Sequence, residues 1–248
     1  MSTLYIVATP IGNLEDISMR ALRTLGEVDF ILCEDTRVTR VLLEHYQIKT
    51  PTISYHHHSG MKKINEIIDL LAAGKNLALV SDAGTPGISD PGGKLIQAVL
   101  EKLGGEVHPV KFGSAGIPPE AELFNGVKIE SVPGPSAVTA ALSISGIPTD
   151  KFVFLGFPPH KKGRQKFIRT IIESEWPAVV YESKHRIIKF LEELNKLADK
   201  DNLTSVVVVR ELSKMHETVY RGSLESIKEK IQNDPNAQKG EFVVIIGK

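Results

Sequence analysis

"SDAGTPGISDPGG", residues 81–93, follows directly on the apolar run Leu77-Ala78-Leu79-Val80. Two acids, four glycines and two prolines stand where a buried strand should pass into a helix. A loop of about two to six residues suffices for that passage. Glycine lets backbone approach a ligand closely, and proline stiffens the turn around it. The stretch therefore predicts a strand over 76–80, a binding turn, and a helix from Pro91 to Leu103 stopped by Gly104-Gly105.

The same alternation extends in both directions. Leu4 to Ala8 predicts a strand. Asp16 is expected to cap a helix whose face is Ile17, Ala21, Leu22 and Leu25 and whose stop is Gly26. Strand 28–33, helix 36–45, a strand near Ile53 and a helix 61–73 closed by Gly74 follow. Further strands are expected at 128–132, 151–157, 177–182, 203–209 and 241–246. Strands alternating with helices define an α/β fold with parallel or mixed sheets. The turn Ile147-Pro148-Thr149-Asp150 divides the chain into two expected α/β domains, 1–149 and 150–248. Residues 110–127, rich in Gly and Pro, are expected to form an exposed loop.

Composition bounds the class. The chain has 248 residues, 42% hydrophobic and 24% charged, an ordinary globular balance. No apolar run approaches the ~20 residues that span a bilayer, so no membrane partner is expected. Nothing at the start resembles a secretory signal, and the single cysteine, Cys33, cannot form an intrachain disulfide. A cytoplasmic location is expected. Thirty basic residues balance thirty acidic ones, which argues against bulk, non-specific nucleic-acid binding and leaves room for a local basic patch.

Polar or glycine-rich turns recur at strand ends: "ATPIGN" (8–13), "CEDTR" (33–37), "VPGPSA" (132–137), "YESKHR" (181–186), "RELSK" (210–214) and "KGEF" (239–242). In open α/β sheets, ligands bind beyond the carboxyl ends of the strands. Neither G-x-G-x-x-G nor G-x-x-x-x-G-K-[ST] is present, which excludes the common nucleotide loops. Asp82, Thr85 and Ser136 suit a ligand with an amino group, a carboxylate and hydroxyls. His56-His57-His58 are adjacent, so strand neighbours would point apart, and no metal site is expected. Cys33, at the end of an apolar strand, is expected to be a small core residue.

These seven motifs, in this order and over nearly the whole chain, resemble the tetrapyrrole (corrin/porphyrin) methylase superfamily. Within it they resemble the branch that methylates small-subunit ribosomal RNA. The resemblance implies two α/β domains with an S-adenosylmethionine site in the cleft between them, and a homodimer. It implies 2′-O-methylation of a cytidine near the decoding site of 16S rRNA, within the small ribosomal subunit. The implied donor contacts are Pro10, Ile11, Asp82, Ala83, Gly84, Thr85, Ser136, Ala137, Tyr181 and Phe242.

Methyl transfer to a ribose hydroxyl needs oxygen, methyl carbon and sulfur in line, and a group to take the proton. Glu34, Asp35, Glu182, Glu211 and Lys214 are the candidates, with a Glu34–Arg37 ion pair as the structural alternative. Arg37, Lys184, Arg186 and Lys214 are candidate phosphate contacts. So are Lys161, Lys162 and Arg164 in "PHKKGRQK" (159–166), the most basic stretch. One departure from the family pattern stands out. Segment 111–127 is extra relative to it and leaves every motif intact. A tetrapyrrole C-methyltransferase and a non-catalytic ribosome-associated protein are the competing readings of the same fold.

Overall fold

The computed structural model describes residues 2–104, 126–197 and 205–247. The chain divides into two compact units, one made of residues 1–10 and 14–135, the other of 11–13 and 136–248.

The first unit runs β1 (Thr3–Val7), α1 (Met19–Glu27), β2 (Phe30–Cys33), α2 (Thr36–His45), β3 (Thr52–Ser54), α3 (Met61–Ala72), β4 (Leu77–Leu79), α4 (Gly92–Leu103) and β5 (Lys128–Val132). Its sheet has the order β3-β2-β4-β1-β5, and every pairing is parallel. Both faces are covered, as an all-parallel sheet requires. Period-two alternation divides the strand side chains between two cores. Leu4, Ile6, Leu32, Leu77 and Leu79 pack with α3 and α4. Val7, Ile31, Cys33, Ala78 and Val80 pack with α1 and α2. The Cys33 thiol lies fully buried, and that burial raises its pKa, so it behaves as core.

The second unit runs α5 (Ala137–Ser143), β6 (Val153–Phe154), α6 (Arg164–Glu173), β7 (Ala178–Ser183), α7 (Ile187–Leu197), β8 (Val206–Arg210), β9 (Thr218–Gly222), α8 (Leu224–Asn233) and β10 (Glu241–Ile246). The order is β6-β7-β10-β8-β9. Only β6–β7 is parallel; the other three pairings are antiparallel. Helices α6, α7 and α8 cover one face over Val180, Val208, Phe242 and Val244. On the other face Val138, Ala141 and Leu142 of α5 pack against Val179, Val207, Val243 and Ile245. Helix α5 thus packs with the second sheet, although sequence placed it before the boundary.

Two local expectations are corrected. Asp16 does not cap α1; it lies in a short 3₁₀ turn, and Ser18 is the cap, its hydroxyl accepting from Ala21 N at 3.1 Å. Gly26 does not stop that helix but lies inside it, and the chain leaves at Val28, whose N–H donates to Thr24 O. The loop expected at 110–127 falls outside the described residues except for its last two positions.

Candidate active site

The first sheet is parallel, so β1, β2, β4 and β5 end on one edge. That edge gathers Ala8–Pro10, Glu34-Asp35, the 80–90 turn and Pro133–Pro135. The turns are tied to one another. Thr9 and Gly84 form an antiparallel bridge, Thr9 N donating to Gly84 O at 2.9 Å and Gly84 N to Thr9 O at 3.1 Å. Gly84 holds φ +84°, a conformation that side chains disfavour. Thr9 Oγ1 donates to Ser81 O at 3.0 Å, and Thr85 Oγ1 to Pro135 O at 3.1 Å. Asp90 closes the far end: one carboxylate oxygen accepts from Gly87 N and Gly92 N, both at 2.7 Å. Sequence reading quoted Asp90 and gave it no role, although an acid just before a helix start is a capping signal.

Acids meet on this edge. Asp35 N donates to Asp82 Oδ1 at 3.1 Å. Burial pushes the Glu34 carboxyl up to about 7, and the charges of Asp82 and Asp90 push the same way. Burial also raises Asp82, and the Asp35 charge adds to it, against a lowering hydrogen bond from Asp35 N–H. Asp35 differs. It caps α2, accepting from Arg37 N at 2.8 Å, and takes Arg37 Nε at 3.0 Å and Nη2 at 2.6 Å. The Arg37 guanidinium holds that carboxyl down at about 2. The alternative Glu34–Arg37 pair is therefore corrected: the pair is Asp35–Arg37, at the surface, and the Arg37 fork is occupied.

In the second unit Ile11–Asn13, the loop after β8 and the residues before β10 come together. Lys214 Nζ lies 3.0 Å from Glu211 Oε1 and 2.8 Å from Glu241 Oε2. Burial lowers the lysine pKa, but the two carboxylates outweigh it and the net shift is upward. Burial raises Glu211, while Glu241 N–H and Lys214 outweigh it and hold the carboxyl low. Neither group is poised to take a proton near neutrality. Glu211 and Ser213 hold φ +52° and +65° without being glycine, a strained backbone. Gly12 packs flat on Lys214; a Cβ there would overlap its side chain and crowd Leu212 O at 3.2 Å. Arg210, buried at 7% exposure, donates to Lys239 O, His216 O and Asn236 O at 2.7, 3.1 and 2.6 Å, which pins both flanking loops.

The "YESKHR" turn departs most from its sequence reading. Glu182 is buried, 1% exposed, and sits between two arginines. Arg186 Nε lies 2.8 Å from Glu182 Oε1, and Arg164 Nη1 lies 3.6 Å from Oε2. Arg164 is 5% exposed; its Nε binds Glu193 at 2.5 Å and its Nη1 donates to Pro159 O at 3.1 Å. Arg186 Nη1 donates to Pro158 O at 2.9 Å. Glu182 and Arg164 are thus buried in an ion-pair network that half-buried Arg186 joins, an arrangement that favours the structural reading of these three side chains over proton transfer or phosphate contact. Lys161, Lys162 and Lys184 are exposed, as expected.

Of the other expected donor contacts in this unit, Ser136 N-caps α5 and Ala137 is its first residue. Tyr181 stacks edge-on against Phe154 at 5.0 Å, and burial pushes its hydroxyl up to about 12. The Phe242 ring is 2% exposed within the core under α6–α8, so any ligand contact there is made by backbone. His56 to His58 lie in a turn after β3, and among the described residues no group of three or more His, Cys, Asp or Glu could hold a metal. No helix among the described residues is long and apolar enough to cross a membrane.

The first unit thus carries an all-parallel sheet with its polar turns on one edge, and the second a mixed sheet. The chain belongs to the family of Tetrapyrrole (Corrin/Porphyrin) Methylases, which it matches over residues 3–110 and 119–228. The break in the match falls inside the extra segment seen in the sequence. Within that family several curated relatives carry the name Ribosomal RNA small subunit methyltransferase I. The Synechocystis protein is 42% identical over 248 residues, covering 99% of this chain and 79% of the relative. The Hydrogenobaculum protein is 40% identical, covering 99% and 95%. The Escherichia coli O157:H7 protein is 37% identical, covering 98% and 77%. Solved structures confirm the fold. Diphthine synthase superposes with a TM-score of 0.69 at 16% identity, covering 100% of this chain and 90% of that one. Uroporphyrin-III C-methyl transferase from Thermus thermophilus, complexed with S-adenyl homocysteine, gives 0.60 at 19% identity, covering 100% and 98%. The chain is a methyltransferase.

Proposed function

We propose that the protein methylates ribosomal RNA of the small subunit, transferring a methyl group from S-adenosylmethionine to the ribose 2′-oxygen of a cytidine near the decoding site of 16S rRNA. The names of the relatives support the RNA substrate, and the motifs named above support the ribose oxygen and the cytidine. The feature that carries the chemistry is Glu34, which follows β2 on the same acidic edge as Asp82 and whose carboxyl burial pushes up to about 7.

The acidic edge of the first sheet fits the donor. Glu34 and Asp82 are both raised, and no cation contributes to either shift. Arg37, the nearest arginine in sequence, is committed to Asp35. A ligand bringing a sulfonium and an ammonium relieves that crowding of like charge. The donor supplies an electrophilic methyl group. Asp82, Ala83, Gly84 and Thr85 offer backbone and short side chains to it, with Pro10, Ile11, Ser136, Ala137, Tyr181 and the Phe242 backbone as further contacts. Glu34 accepts the proton of the ribose hydroxyl as that oxygen attacks. Asp35 fixes the start of α2 next to Glu34, and the Glu211–Lys214–Glu241 clamp holds the turn that carries Ile11.

The test is methyl transfer from labelled S-adenosylmethionine to small subunits lacking the modification, with naked 16S rRNA and a tetrapyrrole in parallel and the product nucleotide mapped. Label on a cytidine ribose oxygen supports the reading. Label on the tetrapyrrole alone, or on a base, overturns it.

A further inference from the structure

The buried arginines raise a question that the methyl-transfer reading leaves open. Replacing a buried ion pair by apolar side chains is often neutral or stabilising, so stability alone does not call for four buried or half-buried charges at the end of β7. Their bonds give the reason. Arg164 and Arg186 reach out of the network to the carbonyls of Pro159 and Pro158. Those carbonyls belong to the loop Phe157–Gly163, which follows β6. Strands β6 and β7 run parallel, so this loop and the Ser183–Arg186 turn leave the sheet at the same edge. The network ties one to the other.

What the tied loops present is exposed and uniform in charge. Lys161, Lys162 and Lys184 all face solvent. The carboxylates at this edge, Glu182 and Glu193, are taken by the arginines beneath. The same loop carries Phe157, 49% exposed, its ring 5.4 Å from the Tyr181 ring and tilted 59° to it. An exposed aromatic ring and exposed lysines on loops whose backbone is tied down form the kind of surface that holds unpaired RNA, with cations on phosphates and the ring under a base. In a chain of zero net charge this is a local surface, not a general field.

We propose that this edge of the second sheet docks single-stranded RNA, with Lys161, Lys162 and Lys184 on successive phosphates and Phe157 stacked on an unpaired base, and that Arg164, Glu182 and Arg186 are the positioning residues that hold the surface in shape. The proposal rests on the RNA-substrate reading and adds the place of contact.

Binding to small subunits lacking the modification, measured against potassium chloride concentration, separates the parts. The triple variant K161Q/K162Q/K184Q keeps the wild-type donor affinity by calorimetry. Its slope of log affinity against log salt falls by about 2, at roughly 0.7 per lost phosphate contact on a single strand. The Phe157→Ala variant binds about tenfold or more weakly with the slope unchanged. An unchanged slope in the triple variant of an enzyme that still methylates RNA overturns the surface. A lysine-dependent slope with no methylated ribose leaves the surface standing and overturns the substrate reading. No binding by the wild-type protein overturns both.

Discussion

Glu34 and Asp35 are neighbours in sequence with opposite electrostatics. One carboxyl sits near 7, pushed up by burial and by Asp82 and Asp90; the other is held at about 2 by Arg37. With Glu34 as the proton acceptor, kcat/KM rises with pH across an inflection near 7, and Glu34→Gln lowers the plateau at least a hundredfold, by about the usual worth of a general base, and removes the inflection. A pH–rate series on both proteins checks this. The same shift bears on folding. A carboxyl raised in the folded state gives stability that is present below its unfolded value of 4.5 and lost as pH rises through 7. Thermal melts of Glu34→Gln should therefore gain over the wild type at pH 8 and not at pH 4. Glu182 acts on stability through its ion pairs. Glu182→Ala takes one carboxylate from buried Arg164, which keeps Glu193, and one from half-buried Arg186, so chemical denaturation should show a loss of about 3 kcal/mol.

At the scale of elements, Gly12 and Lys214 form a testable pair. Gly12→Ala forces the lysine and the backbone at Leu212 to shift, a strain of about 1–3 kcal/mol. Shortening the lysine as well should return part of that loss, so denaturation of Gly12→Ala, Lys214→Ala and the double variant should be non-additive. Elements with a strong period were legible in sequence: α2 at 36–45, β5 at 128–132 and β10 at 241–246 are where the pattern placed them. Strand β9 was not, because Thr218–Gly222 follows the polar "SKMHE" run, is half-buried over its first three residues and exposed at Arg221 and Gly222. The sequence reading placed the start of α1 at Asp16; the hydrogen bond from Ala21 N to the Ser18 hydroxyl places it two residues later. Likewise, sequence grouped Arg164 with Lys161 and Lys162 as one basic run. Burial separates them, and burial depends on Glu182 and Glu193, which are distant in sequence. That the strand-end turns would be more than connections was legible from their glycines and prolines; the hydrogen bonds that tie Thr9 to Gly84 and Thr85 to Pro135 were not, because they join turns far apart in sequence.

For the whole molecule, charge balance sets the bulk behaviour. The sequence pI is about 7.1, so self-repulsion is smallest near neutrality. Solubility at low salt should pass through a minimum near pH 7 and recover on either side, as turbidity against pH would show. The parallel first sheet carries a consequence in time. Strand β1 sits between β4 and β5, and Leu4 pairs with Leu77 on one side and Ile129 on the other. Synthesis proceeds at about 5–20 residues per second, so β1 waits roughly 6–25 s on the ribosome before its second neighbour exists. Until then one row of its backbone groups has no strand partner. The first unit thus cannot finish its sheet until more than half of the chain has been made.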